Sequence, residues 1–252
     1  MNRLTYEIAR SLASVTRVFS RTNQARAGTR VLMFHDVATA PSTGDIYSIP
    51  LPRFRSGIEL LHDWAMHQGV RFVPFSDRPT AGVALTFDDG FKSTLEVAAQ
   101  TLVDHSIPFH VFLTKDFAMS NNSRYLNEKD IQKLLSLPLA SAGIHGTTHQ
   151  RFNSLPISQV RDEVLGARAW LEDLIGRSVT TISYPHGSFN EAVINLLNEE
   201  QFTAAACSNV GTYLDLSQRL QIPRVDIWSL DRPRDLVRKT HGAWDRLLPS
   251  ST

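Results

Sequence analysis

Short apolar runs punctuate this chain, and most end in polar residues. Val31-Leu32-Met33-Phe34 runs into His35-Asp36-Val37, and Val83-Ala84-Leu85 runs into Thr86-Phe87-Asp88-Asp89-Gly90. Pro108 to Thr114, Ala140 to His145, Val179 to Tyr184 and Leu220 to Trp228 repeat the form. Such runs predict strands buried on both faces. Val70 to Phe75 reads as a further short strand, and Thr203 to Cys207 as extended chain. Between the runs apolar residues recur at helical spacing. This predicts helices over Phe54 to His67, Phe91 to His105, Asn127 to Leu135, Ile157 to Ile175, Glu191 to Glu200 and Leu230 to Leu247. Ala38 to Asp45, with Pro41 and Gly44, reads as a loop. Strand and helix alternate six or seven times with short connections, which predicts one α/β domain with a mostly parallel sheet, open or closed into a barrel. In such folds chemistry gathers at the carboxyl ends of the strands. His35-Asp36, Asp88-Asp89, His145/His149 and Tyr184-Pro185-His186 all fall there.

The first residues follow another pattern. Leu4, Ile8, Leu12, Val15 and Phe19 share one helical face, while Arg3, Arg10, Arg17 and Arg21 outnumber the single acid Glu7. Residues 1–29 therefore divide into a basic amphipathic helix and a polar link, ahead of a domain at 30–252. Two placements are open for residues 4–19: packed on the domain or a partner, or lying on an anionic membrane surface. Polar residues interrupt every apolar run in this stretch, so it lacks the core of a secretion signal. The expectation is a cytoplasmic protein working at the inner face of the membrane.

Composition narrows the class. An apolar share of 42% over 252 residues supports a substantial core, and a formal charge of +1 gives no field that would gather nucleic acid. Cys207 is the sole cysteine, which excludes an internal disulfide and a cysteine-based zinc site. No run of 18 apolar residues predicts a membrane-spanning helix.

The chemistry lies in two motifs. A strand ending in Asp88-Asp89-Gly90 delivers two carboxylates to a sheet rim, where Gly90 permits a positive φ. Two close carboxylates ionise together only when a cation or a division of labour separates them. His145-Gly146-Thr147-Thr148-His149 offers the cation site: on a helical turn two imidazoles at i and i+4 would sit close enough to share an ion. Two histidines and one aspartate leave positions open for water and substrate. Such donors suit Zn²⁺ and also admit Co²⁺, Ni²⁺, Fe²⁺ or Mn²⁺. Gly146 stands where a zincin helix has its glutamate base, so the second aspartate must take the proton. The set reads as a metal-dependent hydrolase.

With Ser183-Tyr184-Pro185-His186-Gly187, these motifs resemble in order and spacing the first three motifs of the NodB-homology polysaccharide deacetylases, carbohydrate esterase family 4. The resemblance implies a distorted (β/α)7 barrel and metal-dependent removal of N- or O-acetyl groups from sugars. By matching position it implies Asp88 as general base and Asp89, His145 and His149 as metal ligands. It also implies a backbone N–H near Tyr184 as oxyanion donor. Many members carry arginine where this chain has Ser183; Arg224, after a predicted core strand, is the candidate to orient the base instead. The acid that protonates the leaving group has no evident motif, and His35 and His186 are the candidate pocket histidines. The expected partner is an acetylated glycan, whether polysaccharide, oligosaccharide or lipid-linked sugar. An O-acetyl esterase, a sugar deformylase and a non-catalytic glycan-binding domain are the alternatives.

Overall fold

The structure, a computed structural model, describes residues 23–39 and 45–245. The helix expected over 4–19 and most of the loop expected over 38–45 lie outside these residues.

Seven strands form one parallel sheet: β1 (Thr29–Phe34), β4 (Gly82–Phe87), β5 (Phe109–Leu113), β6 (Ala140–Ile144), β7 (Thr181–Ser183), β8 (Ala204–Ala206) and β9 (Arg224–Asp226). Their order is β8-β7-β6-β5-β4-β1-β9. β2 (Asp36–Ala38) and β3 (Ser48–Pro50) pair separately as a small parallel ribbon. The two edges of the sheet meet through the parallel bridge Ala206↔Ile222, just ahead of β9. Closure thus rests on one bridge and a few backbone bonds, including Ile222 N to Ala205 O at 2.8 Å. The result is the distorted (β/α)7 barrel that the motifs imply.

Alternation along the strands separates two cores. Leu32, Phe34, Leu85, Phe87, Phe109, Val111, Ile144, Ile182 and Val225 face outward, under the helices. Val31, Ala84, Phe112, Ala204, Ala206 and Ile222 face the axis, with Val73, Phe75 and Tyr213. Side chains alternate with period two. The inward set therefore continues through Val31-Met33-His35, Ala84-Thr86-Asp88, Ser141-Gly143-His145, Thr181-Ser183 and Arg224-Asp226. Pattern alone thus aims the chemistry at the barrel mouth.

Helices cover the outside. α1 (Gln24–Ala27) lies in the expected polar link, capped by the Asn23 side chain. α2 (Leu51–Gln68) buries Phe54, Ile58, Leu61 and Ala65 at helical spacing. It stops where Gly69 takes φ 62°, a left-handed value open to glycine. Leu95 and its neighbours begin as a π-helical turn, Thr94–Ala98, before α3 (Ala99–Asp104). α4 (Lys115–Met119), α5 (Glu128–Leu135), α6 (Ile157–Ile175) and α7 (Glu191–Glu199) follow. α8 (Pro233–Thr240) is shorter than the 230–247 span expected, because Pro233 fixes its first turn and the chain turns again at Gly242, φ 84°. No helix of the described residues is long and apolar enough to cross a membrane.

Two other expectations change. Val70 to Phe75 is not a strand of the sheet: it touches β4 only through the bridge Phe72↔Val83, and its Val73 and Phe75 plug the barrel. The run from Val31 to Val37 divides at His35, because Phe34 O accepts the Asp88 N–H while Asp36 N–H turns to Tyr47 O.

Within the barrel His110 is wedged between Ser141 Oγ, 2.7 Å from Nδ1, and Thr181 Oγ1, 3.1 Å from Nε2. Burial pushes its pKa down to about 3. A histidine that folds neutral gives its full stabilisation above its unfolded pKa of about 6.5 and loses it as pH falls towards the folded value, because the unfolded chain binds the proton first. The urea midpoint is expected to drop as pH falls from 6.5 towards 3, and His110→Gln to flatten that slope. Parallel slopes for the two proteins would contradict this account.

Candidate active site

Five strand ends build the site around a pocket of about 370 Å³. β4 carries Asp88 and Asp89, β6 leads into His145, β7 into His186, β1 into His35, and β9 ends in Asp226. Asp89 and Gly90 both take left-handed φ, 70° and 74°, so the turn rotates Asp89 out of strand alternation to the pocket wall. His149 and His186 are left-handed as well, at 65° and 58°. Such backbone costs an ordinary residue roughly 1–2 kcal/mol and concentrates at functional sites.

Asp89 Oδ1 lies 3.1 Å from His149 Nε2 and 3.4 Å from His145 Nε2, and the two imidazole nitrogens are 3.2 Å apart. The Nδ1 of His145 lies 2.8 Å from Ser183 O. A carbonyl only accepts, so Nδ1 carries the proton and Nε2 presents a lone pair. Burial lowers the His145 pKa to about 4 against the pull of Asp88 and Asp89, so the ring is neutral at pH 7. Burial raises the Asp89 pKa, but His149, His145 and His35 more than reverse this and it is lowered on balance. Three lone-pair donors converging at such distances repel one another without a cation. Ligand arms of 2.0–2.1 Å in a tetrahedral zinc site place donors about 3.3–3.4 Å apart, which this triangle matches. The residues therefore fit a small divalent ion.

The histidine pair is not on a helix. His145 to His149 form a loop between β6 and the next helical turn, and the reversal at Gly146 (φ 77°) and His149 folds the rings together. Glu163 of α6 shapes that loop. Its buried carboxylate accepts from Thr147 N (2.9 Å), Thr148 N (2.8 Å) and Thr148 Oγ1 (2.5 Å). A Cβ at Gly146 would stand 3.1 Å from Glu163 Oε2. Sequence reading missed Glu163, an acid at the margin of the apolar stripe of α6.

Asp88 is held differently. Arg224 donates to both its oxygens at 2.7 and 2.8 Å, and Ser183 Oγ donates to Oδ2 at 3.0 Å. The remaining guanidinium N–H groups reach Thr86 Oγ1, Ser183 Oγ and Cys207 O, so all five are satisfied. Burial would raise the Asp88 pKa; Arg224 and then His145 outweigh it and hold the carboxyl far below the usual carboxylate range. Asp88 Oδ2 is 3.8 Å from His145 Nε2, beside the triangle but outside it. Ser183 is thus the bridge between Arg224 and Asp88.

Tyr184 requires a correction. Its N–H donates to Ala206 O at 3.0 Å, extending the β7–β8 ladder, and its hydroxyl donates to Leu220 O at 2.7 Å from within the core. It presents no donor to the pocket. In the same loop Gly187 N–H goes to Tyr184 O and Ser188 N–H to Pro185 O. Pro185 has no N–H, so His186 holds the loop's remaining one.

His35 lines the pocket with its ring 4.5 Å from that of Tyr47, and its Nδ1 is buried without a hydrogen bond. Asp226, across the same wall, also has a buried oxygen without one. Burial raises its pKa against the pull of His35, Lys239 and Arg224. His186 packs 4.5 Å from the His149 ring, and burial lowers its pKa, with help from His149 and Arg151.

Known proteins agree with this architecture. The family model described as polysaccharide deacetylase matches residues 76–205, just over half of the chain. A Bacillus subtilis protein, YxkH, whose naming as a polysaccharide deacetylase is itself provisional, is 20% identical over 187 residues. That match covers 72% of this chain and 64% of the relative's own length. Among solved structures, the Streptococcus pyogenes deacetylase PplD in complex with acetate superposes with a TM-score of 0.75 at 16% identity, covering 84% of this chain and 98% of that one. IcaB from Ammonifex degensii gives 0.69 at 21%, covering 86% and 97%. At such identities these structures speak to the fold alone.

Glu163→Gln removes the carboxylate's capacity to accept three bonds at once while keeping its shape. Loss of an outer support of this kind costs about 10–100-fold in metal affinity. Titration calorimetry with Zn²⁺ is expected to show that weakening with little change in melting temperature. Unchanged affinity would mean that the loop holds its shape without Glu163.

Proposed function

The chain belongs to the polysaccharide deacetylase family, and from that premise we propose that it hydrolyses the N-acetyl group of an amino sugar in a glycan, with a divalent metal ion, Zn²⁺ by preference, held by Asp89, His145 and His149. The observation that carries this reading is the triangle of three lone-pair donors with the ionised Asp88 carboxylate, held by Arg224 and Ser183, 3.8 Å from its His145 corner.

When bound, the ion supplies Lewis acidity: it polarises an acyl oxygen and lowers the pKa of water towards neutrality. Asp88 then needs little intrinsic basicity. Arg224 and Ser183 fix its carboxylate, and the proton of the attacking water passes to Oδ2, the oxygen nearer the triangle. In this reading the His186 N–H donates to the developing oxyanion, a contact worth a few kcal/mol when preorganised. His149, seated against Phe117 and His186, keeps its ring aimed at the site.

An amine leaves only when protonated, whereas an alkoxide or phenoxide needs less help. The pocket offers two imidazoles outside the triangle, His35 and His186. His35 takes the acid role in this reading. It lies on the inward parity of β1, faces Asp226, and is steadied by Tyr47. That provision for the leaving group favours an amide over an ester as substrate.

The decisive measurement is acetate release from N-acetylglucosamine oligomers, with O-acetylated and N-formylated analogues alongside. N-acetyl substrates are expected to turn over fastest, chelator to abolish release, and added Zn²⁺ to restore it. Asp88→Asn should lower kcat by about 10²–10⁴-fold, the usual weight of a general base, while metal stoichiometry is retained. Metal-loaded protein that binds glycan yet releases no acetate would identify a binding module instead.

The acid assignment has its own signature. His35→Ala should depress hydrolysis of an N-acetyl sugar far more than that of 4-nitrophenyl acetate, whose leaving group needs no proton. Equal losses on both would remove His35 from that role.

A further inference from the structure

Outside the pocket, a cleft of about 410 Å³ lies between α2 and α8. Leu60, Trp64, Val237 and Ala243 form its apolar lining, all half-buried. Arg234, Arg238 and His241 stand along it. Arg238 is paired with Asp235 at 3.0 Å, and the His241 ring lies edge-on to Trp64, 4.8 Å between centroids. The cleft is an apolar trough with its cations at the edges, not a concentrated anion site.

We propose that this trough is the seat of the chain's own residues 4–19, docked through Leu4, Ile8, Leu12, Val15 and Phe19. Position is the first reason. The described chain begins at Asn23, and Gln24 lies directly against Gly242, where a Cβ would meet its Cγ at 2.6 Å. Gly242 sits between His241 and Ala243, two residues of the trough. Only three residues, 20–22, separate Phe19 from Asn23, a reach of about 10 Å. A tether that short keeps the segment at an effective concentration in the millimolar range beside this surface.

Pattern is the second reason. At 100° per residue the five apolar side chains cluster in one sector, and Arg3, Arg10, Arg17 and Arg21 centre roughly 200° round the axis from it. A helix on a lipid surface carries the same arrangement, cations on one face and apolar side chains on the other, so the short tether decides between the two seats. Docked in the trough, the same segment would cover Leu60, Trp64 and Val237, hold its arginines clear of Arg234 and Arg238, and leave them in water. The proposal is independent of the chemistry in the pocket.

Disulfide trapping in the full chain tests it. In a Cys207→Ser background, Leu12→Cys with Leu60→Cys is oxidised at low protein concentration beside a control pair, Leu12→Cys with Gln132→Cys on α5. A monomeric disulfide forming at least about tenfold faster in the first pair is expected, given the tethered local concentration. Equal rates overturn the proposal. So does a first pair that links only between molecules, which would seat a second copy in the trough. So does faster trapping of Leu248→Cys with Leu60→Cys, which would seat the chain's other end there. Co-sedimentation with phosphatidylglycerol vesicles, lost in Ile8→Asp and accompanied by no trapping, would place the segment on a membrane and also overturn it. A second readout needs no cysteine. Ile8→Asp and Val237→Asp should each lower the melting temperature by about 3–8 °C, and the double variant by less than their sum. Strict additivity counts against contact between the two.

Discussion

A buried ion pair, Asp88 with Arg224, ties this barrel together. Both side chains are buried, Asp88 at the floor of the pocket. Two charges taken out of water cost several kcal/mol each, and the cost is recovered only where geometry is good and every remaining hydrogen-bonding position is filled. Both conditions hold. The guanidinium meets the carboxylate through two parallel bonds, and its other three N–H groups find Thr86, Ser183 and Cys207. Those partners come from β4, from β7 and from the residue after β8, while Arg224 itself opens β9. The sheet edges join through a single bridge, so the arginine is a polar clasp across the weakest seam of the wall.

That pair also allows two adjacent carboxylates to stay charged for different reasons. Asp88 follows strand alternation inward and is neutralised by the guanidinium. Asp89, swung aside by a left-handed φ, lies against the two imidazoles and, on the proposed reading, is neutralised by the ion they would share. Two like charges side by side would otherwise push one pKa up. On that reading separate counter-charges divide the labour: one carboxylate is a ligand, and the other takes a proton. His145 stands between the two systems, 3.4 Å from Asp89 and 3.8 Å from Asp88, with its tautomer set by the Ser183 carbonyl.

Much of this was legible in the chain because period two and period 3.6 are geometric. The strands at 83–87 and 109–113, the helix at 157–175 and the polar strand ends follow from pattern alone. What failed were features set by backbone partners rather than side-chain type. The His145–His149 spacing suits a helical turn equally well, and only Gly146 marks the loop. Tyr184 ends an expected strand, and its N–H goes to the ladder with β8 and not to an oxyanion. Val70 to Phe75 has strand composition but fills the barrel instead of extending the sheet. Glu163 has no sequence signature, since the two N–H groups it caps come into reach only once α6 packs on the β6 loop. Arg224 could be placed near the mouth by its strand, but nothing local names Asp88 as its partner 136 residues away.

The division of the site follows from strand order. Everything that would hold the ion, together with Asp88 and the His186 loop, lies on β4, β6 and β7, inside the stretch that matches the family model. The opposite wall comes from outside it, from His35 after β1 and from Arg224 and Asp226 on β9. These strands are remote in sequence but adjacent in the sheet, with Met33 in register with Asp226. Behind that wall Lys239 of α8, fully buried, donates to Asp226 O and Asp231 and lies against the Trp228 and Trp244 rings. On the proposed reading the first and last strands of the sheet build the half of the pocket where a leaving group would be protonated, while Arg224 reaches across to hold the base. Nucleophile activation and leaving-group assistance would then sit on separate parts of one barrel, joined at the Asp88–Arg224 clasp.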